Sequence, residues 1–222
     1  MTPQLRPSLL KAIEELKAEV VQMADLALHQ INDAFDAFKR NDVEKAKIIM
    51  SKDEVIDKLE EDIAKNALRV IWKEQPMAHD LRLVTGILKL ITDIERIGDH
   101  ASDIAEITLH LSHFHNKRVL PYSTKMSEAA YRMVLEGINS FVRLDKEAAK
   151  KVIQMDDQVD ELFTFIMKDI ARELKEETID QEYALSILMV IKYIERIGDH
   201  AVNLAQWIIF MITGEHKDTP LF

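Results

Sequence analysis

The chain has 222 residues, 47% of them hydrophobic, with 29 Lys and Arg against 39 Asp and Glu for a formal net charge of −10. That much apolar material supports a folded core and excludes disorder as the main state, while the acidic balance disfavours diffuse attraction to nucleic acid or an anionic membrane. The chain contains no cysteine, which excludes disulfides, thiolate metal sites, iron–sulfur clusters and cysteine nucleophiles and leads us to expect a cytoplasmic setting.

The opening residues lack the apolar centre of a signal peptide, and no later run approaches the ~18 uncharged apolar residues of a membrane span. The first predicted helix covers 5–39 and stops at Arg40-Asn41-Asp42; a second covers 43–73 up to Glu74-Gln75-Pro76. A third is predicted over 77–114, ahead of a break from Asn116 to Ser123 that contains Pro121. The fourth, fifth and sixth fall at 123–143, 146–175 and 179–213, separated by Leu144-Asp145 and by Glu176-Glu177-Thr178. Long helices joined by short turns run antiparallel to their neighbours. The expected fold is therefore all-α.

Residues 80–105 and 180–205 agree at thirteen of twenty-six positions, and Ile-Glu-Arg-Ile-Gly-Asp-His-Ala stands unchanged at 94–101 and 194–201. At an offset of 103 the preceding helices also correspond: Phe38 with Phe141, Asp42 with Asp145, Asp53 with Asp156 and Asp57 with Asp160. The chain thus reads as two tandem three-helix bundles related by internal duplication, over residues 1–117 and 118–222.

The duplicated residues carry paired carboxylates four apart, which project from one helix face. Glu95 and Asp99 lie on the third helix, with Asp53 and Asp57 on the second; Glu195, Asp199, Asp156 and Asp160 repeat the pattern. Residues level with one another across a hairpin are equidistant from its turn. Asp53 with Asp99 and Asp57 with Glu95 both centre on Pro76, and the second-half pairs share one centre in their own turn. Each hairpin should therefore set four acids side by side. Asp103 extends the first row, whereas Asn203 takes that place in the second, so the two sites should differ.

Two like charges ~4 Å apart repel by about 4 kcal/mol at an effective dielectric near 20, so such rows call for a counter-charge. Oxygen ligands alone favour hard cations: we place iron first, with manganese, magnesium or zinc as alternatives. Gly98 and Gly198, inside helices at a cost of about 1 kcal/mol each, suggest close approach. Single acid pairs are commonly solvated helix faces, and a groove paired with arginines remains the plain alternative. His100 and His200 point away from the acids and are read as lying behind the ligating groups or at the surface, not as ligands. His110, His113 and His115 are read as a polar helix end, Trp72 and Trp207 as packing bulk, and Asp25 and His29 as weak candidates for approaching the first row.

With its duplicated three-helix halves, E(D)-x-x-x-D pairs, both ERIGDHA segments and Asp80-Leu81-Arg82, the sequence resembles the PhoU family over nearly its whole length. The resemblance implies a cytoplasmic accessory protein of phosphate homeostasis, commonly a homodimer. Such a protein acts as a negative regulator between a phosphate ABC transporter, through its ATPase, and a sensor histidine kinase. It further implies multinuclear metal clusters on Asp53, Asp57, Glu95 and Asp99, and on Asp156, Asp160, Glu195 and Asp199. A carboxylate-bridged di-metal enzyme is the rival reading, weakened because Gly98 and Gly198 stand where a Glu-x-x-His motif needs histidine. A metal-free acidic helical adaptor is the third.

Overall fold

A computed structural model describes residues 6–114, 122–216 and 219–220. Six long helices account for nearly all of them: α1 (Pro7–Arg40), α2 (Val43–Glu74), α3 (His79–His110), α4 (Ser123–Arg143), α5 (Lys146–Lys175) and α6 (Gln181–Thr213). The third helix ends earlier than its periodicity suggests and passes into a 3-10 turn at Leu111–His113. The sequence pattern also missed a two-residue antiparallel pairing of Glu215–His216 with Thr219–Pro220. The boundary at 117/118, Pro121 and His115 lie outside the described residues.

The helix ends follow from local chemistry, and the duplication extends to it. Asn41 and Leu144 both take left-handed backbone, with φ of 54° and 49°, closing α1 and α4. The next residue in each case is an aspartate whose side chain caps the following helix: Asp42 accepts from Lys45 N, and Asp145 from Glu147 N and Ala148 N. Each such cap contributes about 1 kcal/mol by satisfying amides the helix cannot. Asp180 does the same for α6 by accepting from Tyr183 N, and Gly214 supplies the positive φ, 84°, that ends it.

Helices α1, α2 and α3 pack on one another, as do α4, α5 and α6, giving two three-helix bundles. The bundles meet along α3 and α6, whose apolar stripes include Ile87, Ile91, Ile94, Ile97, Ile187, Ile191, Ile194 and Ile197, all buried. A Cβ on Gly86 would collide with Met211 Cγ, so the absent side chain admits the methionine of α6. Trp72 is 80% exposed, contrary to the packing role expected of it. Among the described residues no helix is long and apolar enough to cross a membrane.

Candidate metal centre

The hairpin register places the acids as its arithmetic requires. Asp57 from α2 and Glu95 and Asp99 from α3 each offer a carboxylate oxygen within 4.8 Å of the others. Asp53, one turn before Asp57, feels the charge of Asp99 and lines with it a cleft of about 320 Å³ that also takes in Asp103, Ser102 and Glu106. Asp103 thus joins the first row, while its carboxylate also lies 3.3 Å from His100 Nδ1. In the second half Asp156 is repelled by Asp160, Asp199 and Glu195, so those four acids also converge.

In the first half a glycine eases this approach. A Cβ on Gly98 would lie 3.0 Å from Ile56 Cδ1, and one on Gly198 would lie 3.4 Å from Asp156 Oδ1. The third helix therefore comes down tightly onto the second beside the first acid row, at the cost of a glycine within a helix, whereas at Gly198 the spacing is that of an ordinary contact.

Burial and mutual repulsion act on these carboxyls in the same direction. Desolvation, then Asp99 and Asp57, raises Asp53, although hydrogen bonds from Ser102 and Gln30 pull it back. Desolvation and Asp99 also raise Glu95 despite Arg96. Asp156 is pushed up to about 6 by desolvation first and by Asp160, Asp199 and Glu195 after it. Asp199 is raised by desolvation and Glu195 against Arg196, Lys192 and His200. A cation bound among these acids would relieve both the burial and the mutual repulsion.

Basic side chains supply part of the counter-charge. Arg96 reaches Asp99 at 2.9 Å and Glu95 at 3.3 Å, but its side chain is 55% exposed. In the second half Lys192 lies 2.5 Å from Glu195, and Arg196 lies 3.7 Å from Asp199. These contacts sit toward solvent and leave Asp53 Oδ1 buried with no hydrogen-bond partner. An unpaired, buried carboxylate oxygen among four other acids fits a hard cation better than a groove satisfied by arginine.

Several groups at the site escaped the sequence reading. Gln30 is the α1 residue that reaches Asp53, whereas His29 is exposed and faces a separate cavity with Leu26, Asp33 and Lys52, and Asp25 is exposed too. Gln30 is buried and its Nε2 donates to Ile49 O at 3.4 Å. His100 and His200 are not surface groups: their rings lie 5.5 Å apart in the seam between the bundles. His200 Nδ1 stands 2.8 Å from Asp93 Oδ1, and Asn203 Nδ2 donates to the same oxygen at 3.1 Å. The position matching Asp93 is Tyr193, which stacks on His100 with centroids 5.5 Å apart. The one signal for Asp93 was an acid on the apolar face of α3, and its partners lie 107 and 110 residues away.

Comparison with known proteins places the fold. The family model described as "PhoU domain" matches residues 20–108 and again 123–208, one copy on each bundle. The chain is similar to a phosphate-specific transport system accessory protein PhoU homolog of Aquifex aeolicus, 37% identical over 207 residues, 93% of this chain and 94% of the relative. It is also similar to the crystal structure of PhoU from Pseudomonas aeruginosa, with 30% identity and a TM-score of 0.87 over 92% of this chain and 99% of that one. The phosphate transport system regulatory protein PhoU from Streptococcus pneumoniae superposes with a TM-score of 0.89 at 25% identity, over 95% of this chain and 99% of its own.

Proposed function

The chain belongs to the PhoU family, and we propose that it is a cytoplasmic, non-catalytic accessory protein of a phosphate transport system that represses phosphate uptake and the phosphate-starvation response. In this reading it couples the ATPase of a phosphate ABC transporter to a sensor histidine kinase and works as a homodimer. Its regulatory units are residues 1–117 and 118–222. The observation that carries the proposal is the match of both bundles to the family, over nearly the full length of relatives named for phosphate transport.

Metal binding is part of the same proposal, supported by the partly desolvated acids Asp53, Glu95, Asp156 and Asp199 in those rows. Asp57, Glu95 and Asp99 form the inner group of the first site, with Asp53 and Asp103 extending it; Asp156, Asp160, Glu195 and Asp199 form the second. Iron leads, with manganese, magnesium or zinc as alternatives. A bound cluster would neutralise each row and tie the second helix of a bundle to its third. The side chains do the rest: α2 and α5 present some of the acids and α3 and α6 the others, Gly98 lets α3 close on α2, and Arg96 and Arg196 cover the solvent side.

Deleting the gene should switch on a phosphate-starvation reporter in phosphate-rich medium, and supplying the chain should restore repression. A reporter that stays silent after deletion would overturn the regulatory reading. Catalytic turnover of ferrous iron with oxygen by the purified protein would overturn its non-catalytic part.

A further inference from the structure

We propose that Gln30 of α1 is an oxygen ligand of the cation in the first acidic row, so that this site draws on three helices where the second draws on two. The inference deepens the metal reading and rests on it. Gln30 is 5% exposed, on a stretch of α1 whose other buried residues are Ala27, Leu28, Ile31 and Ala34. A buried amide among apolar neighbours is costly unless both of its ends are satisfied. The nitrogen end is satisfied, since Nε2 donates to Ile49 O at 3.4 Å and the side chain also bonds the Asp53 carboxylate. The oxygen end is not: Gln30 Oε1 is buried with no hydrogen-bond partner.

The duplication shows where that oxygen points. A Cβ on Gly98 would stand 3.4 Å from Gln30 Oε1, while one on Gly198, the matching glycine, would stand 3.4 Å from Asp156 Oδ1 and 3.8 Å from Met133 Cε. Beside the glycine that precedes Asp99, the amide oxygen therefore takes the place that a row carboxylate takes beside the glycine that precedes Asp199. Asp53 Oδ1 is a second buried oxygen of this row without a partner. Two acceptors, one from α1 and one from α2, have no donor between them, and a cation satisfies both at once.

The donor type sets the kind of ion. A neutral carbonyl oxygen beside carboxylates suits hard divalent ions such as magnesium and manganese. Asp57, Glu95 and Asp99 already bring their oxygens within 4.8 Å of one another. Another carboxylate would add to their repulsion, whereas an amide adds a ligand and no charge. In the second bundle the matching residue is Met133, fully buried, whose thioether is a soft donor poorly suited to such an ion. The two rows thus differ in which helices a bound ion ties together: α1, α2 and α3 in the first, α5 and α6 in the second.

Binding of Mn2+ is to be measured on a parent chain whose second row is neutralised by D156N/D160N/E195Q/D199N, so that only the first row is read. In that parent Q30M should weaken binding about ten- to hundred-fold, whereas Q30E, which keeps an oxygen but has no N–H to donate, should bind at least as tightly. Crystals of the unaltered protein grown with Mn2+ should place the anomalous signal of the ion about 2.0–2.6 Å from Gln30 Oε1. The crystal needs no variant, so it decides the matter even where Q30M fails to fold. Equal affinity of Q30M and its parent, equal losses in Q30M and Q30E, or an ion on the acids with a water between it and Gln30 overturns the proposal. No Mn2+ on the unaltered chain overturns the metal reading itself, and this proposal with it.

Discussion

Gln30 and Ser102 stand beside Asp53 in the first bundle; the corresponding residues in the second are Met133 and Val202, which donate nothing to Asp156. The first row also holds Asp103 and has Glu60 nearby, bonded by Thr92. The second has Asn203, Phe163 and Lys192 at those positions, with the lysine over the Phe163 ring. One octapeptide has thus been set in two electrostatic surroundings. The first row carries more negative charge with better hydrogen bonding, and the second carries less charge but leaves its central acid more nearly neutral. Charge number and acid strength are tuned separately, by residues outside the repeated motif.

The largest expected effect from a single residue lies in the seam, where the halves differ most. Asp93→Ala should destabilise the protein by about 1–3 kcal/mol, because His200 and Asn203 lose their common acceptor in a largely buried place. Tyr193→Phe, at the equivalent position, should change denaturant stability little, since stacking on His100 survives. Equal losses would break the contrast.

Next comes the response to pH of the metal-free protein. A carboxyl raised to about 6 from 3.8 binds its proton in the folded state where the unfolded chain has released it. Asp156 therefore opposes folding above about pH 6, and that opposition is relieved as pH falls from 6 toward 3.8. Asp156→Asn should stabilise the metal-free chain at pH 7 by about 1–2 kcal/mol after allowance for solvent screening. Asp53→Asn should gain less, since Gln30 and Ser102 already favour the charged form. Thermal unfolding across this pH range would register both.

The smallest expected effect tests the cause directly. Gln30→Met with Ser102→Val should raise the Asp53 carboxyl toward that of Asp156, and Met133→Gln with Val202→Ser should lower Asp156, as followed by carboxyl resonances during titration. A failure of either pair to move its acid would mean that depth of burial alone separates the rows.

Six helices, their caps and the hairpin registers were legible in the sequence because apolar period, turn residues and duplication all act locally or repeat. The acid rows were legible for the same reason: equal distance from a turn fixes which residues face one another. Gln30, Ser102 and Asp93 were not, because each acts across helices and none is repeated at its matching position, so the duplication that exposed Asp53 hid them. Trp72 misled for a related reason, since helical spacing places a side chain on a face without saying whether a neighbour covers it. The pairing of Glu215–His216 with Thr219–Pro220 is too short for any periodic signal.

Elemental analysis of protein purified without chelator, beside variants lacking either the Asp53, Asp57, Glu95 and Asp99 carboxylates or those of Asp156, Asp160, Glu195 and Asp199, bears most directly on the central claim. Several equivalents of metal in the unaltered chain are predicted, with the larger share lost when the first row is removed. The same metal content in all three proteins, or none in any, would contradict it.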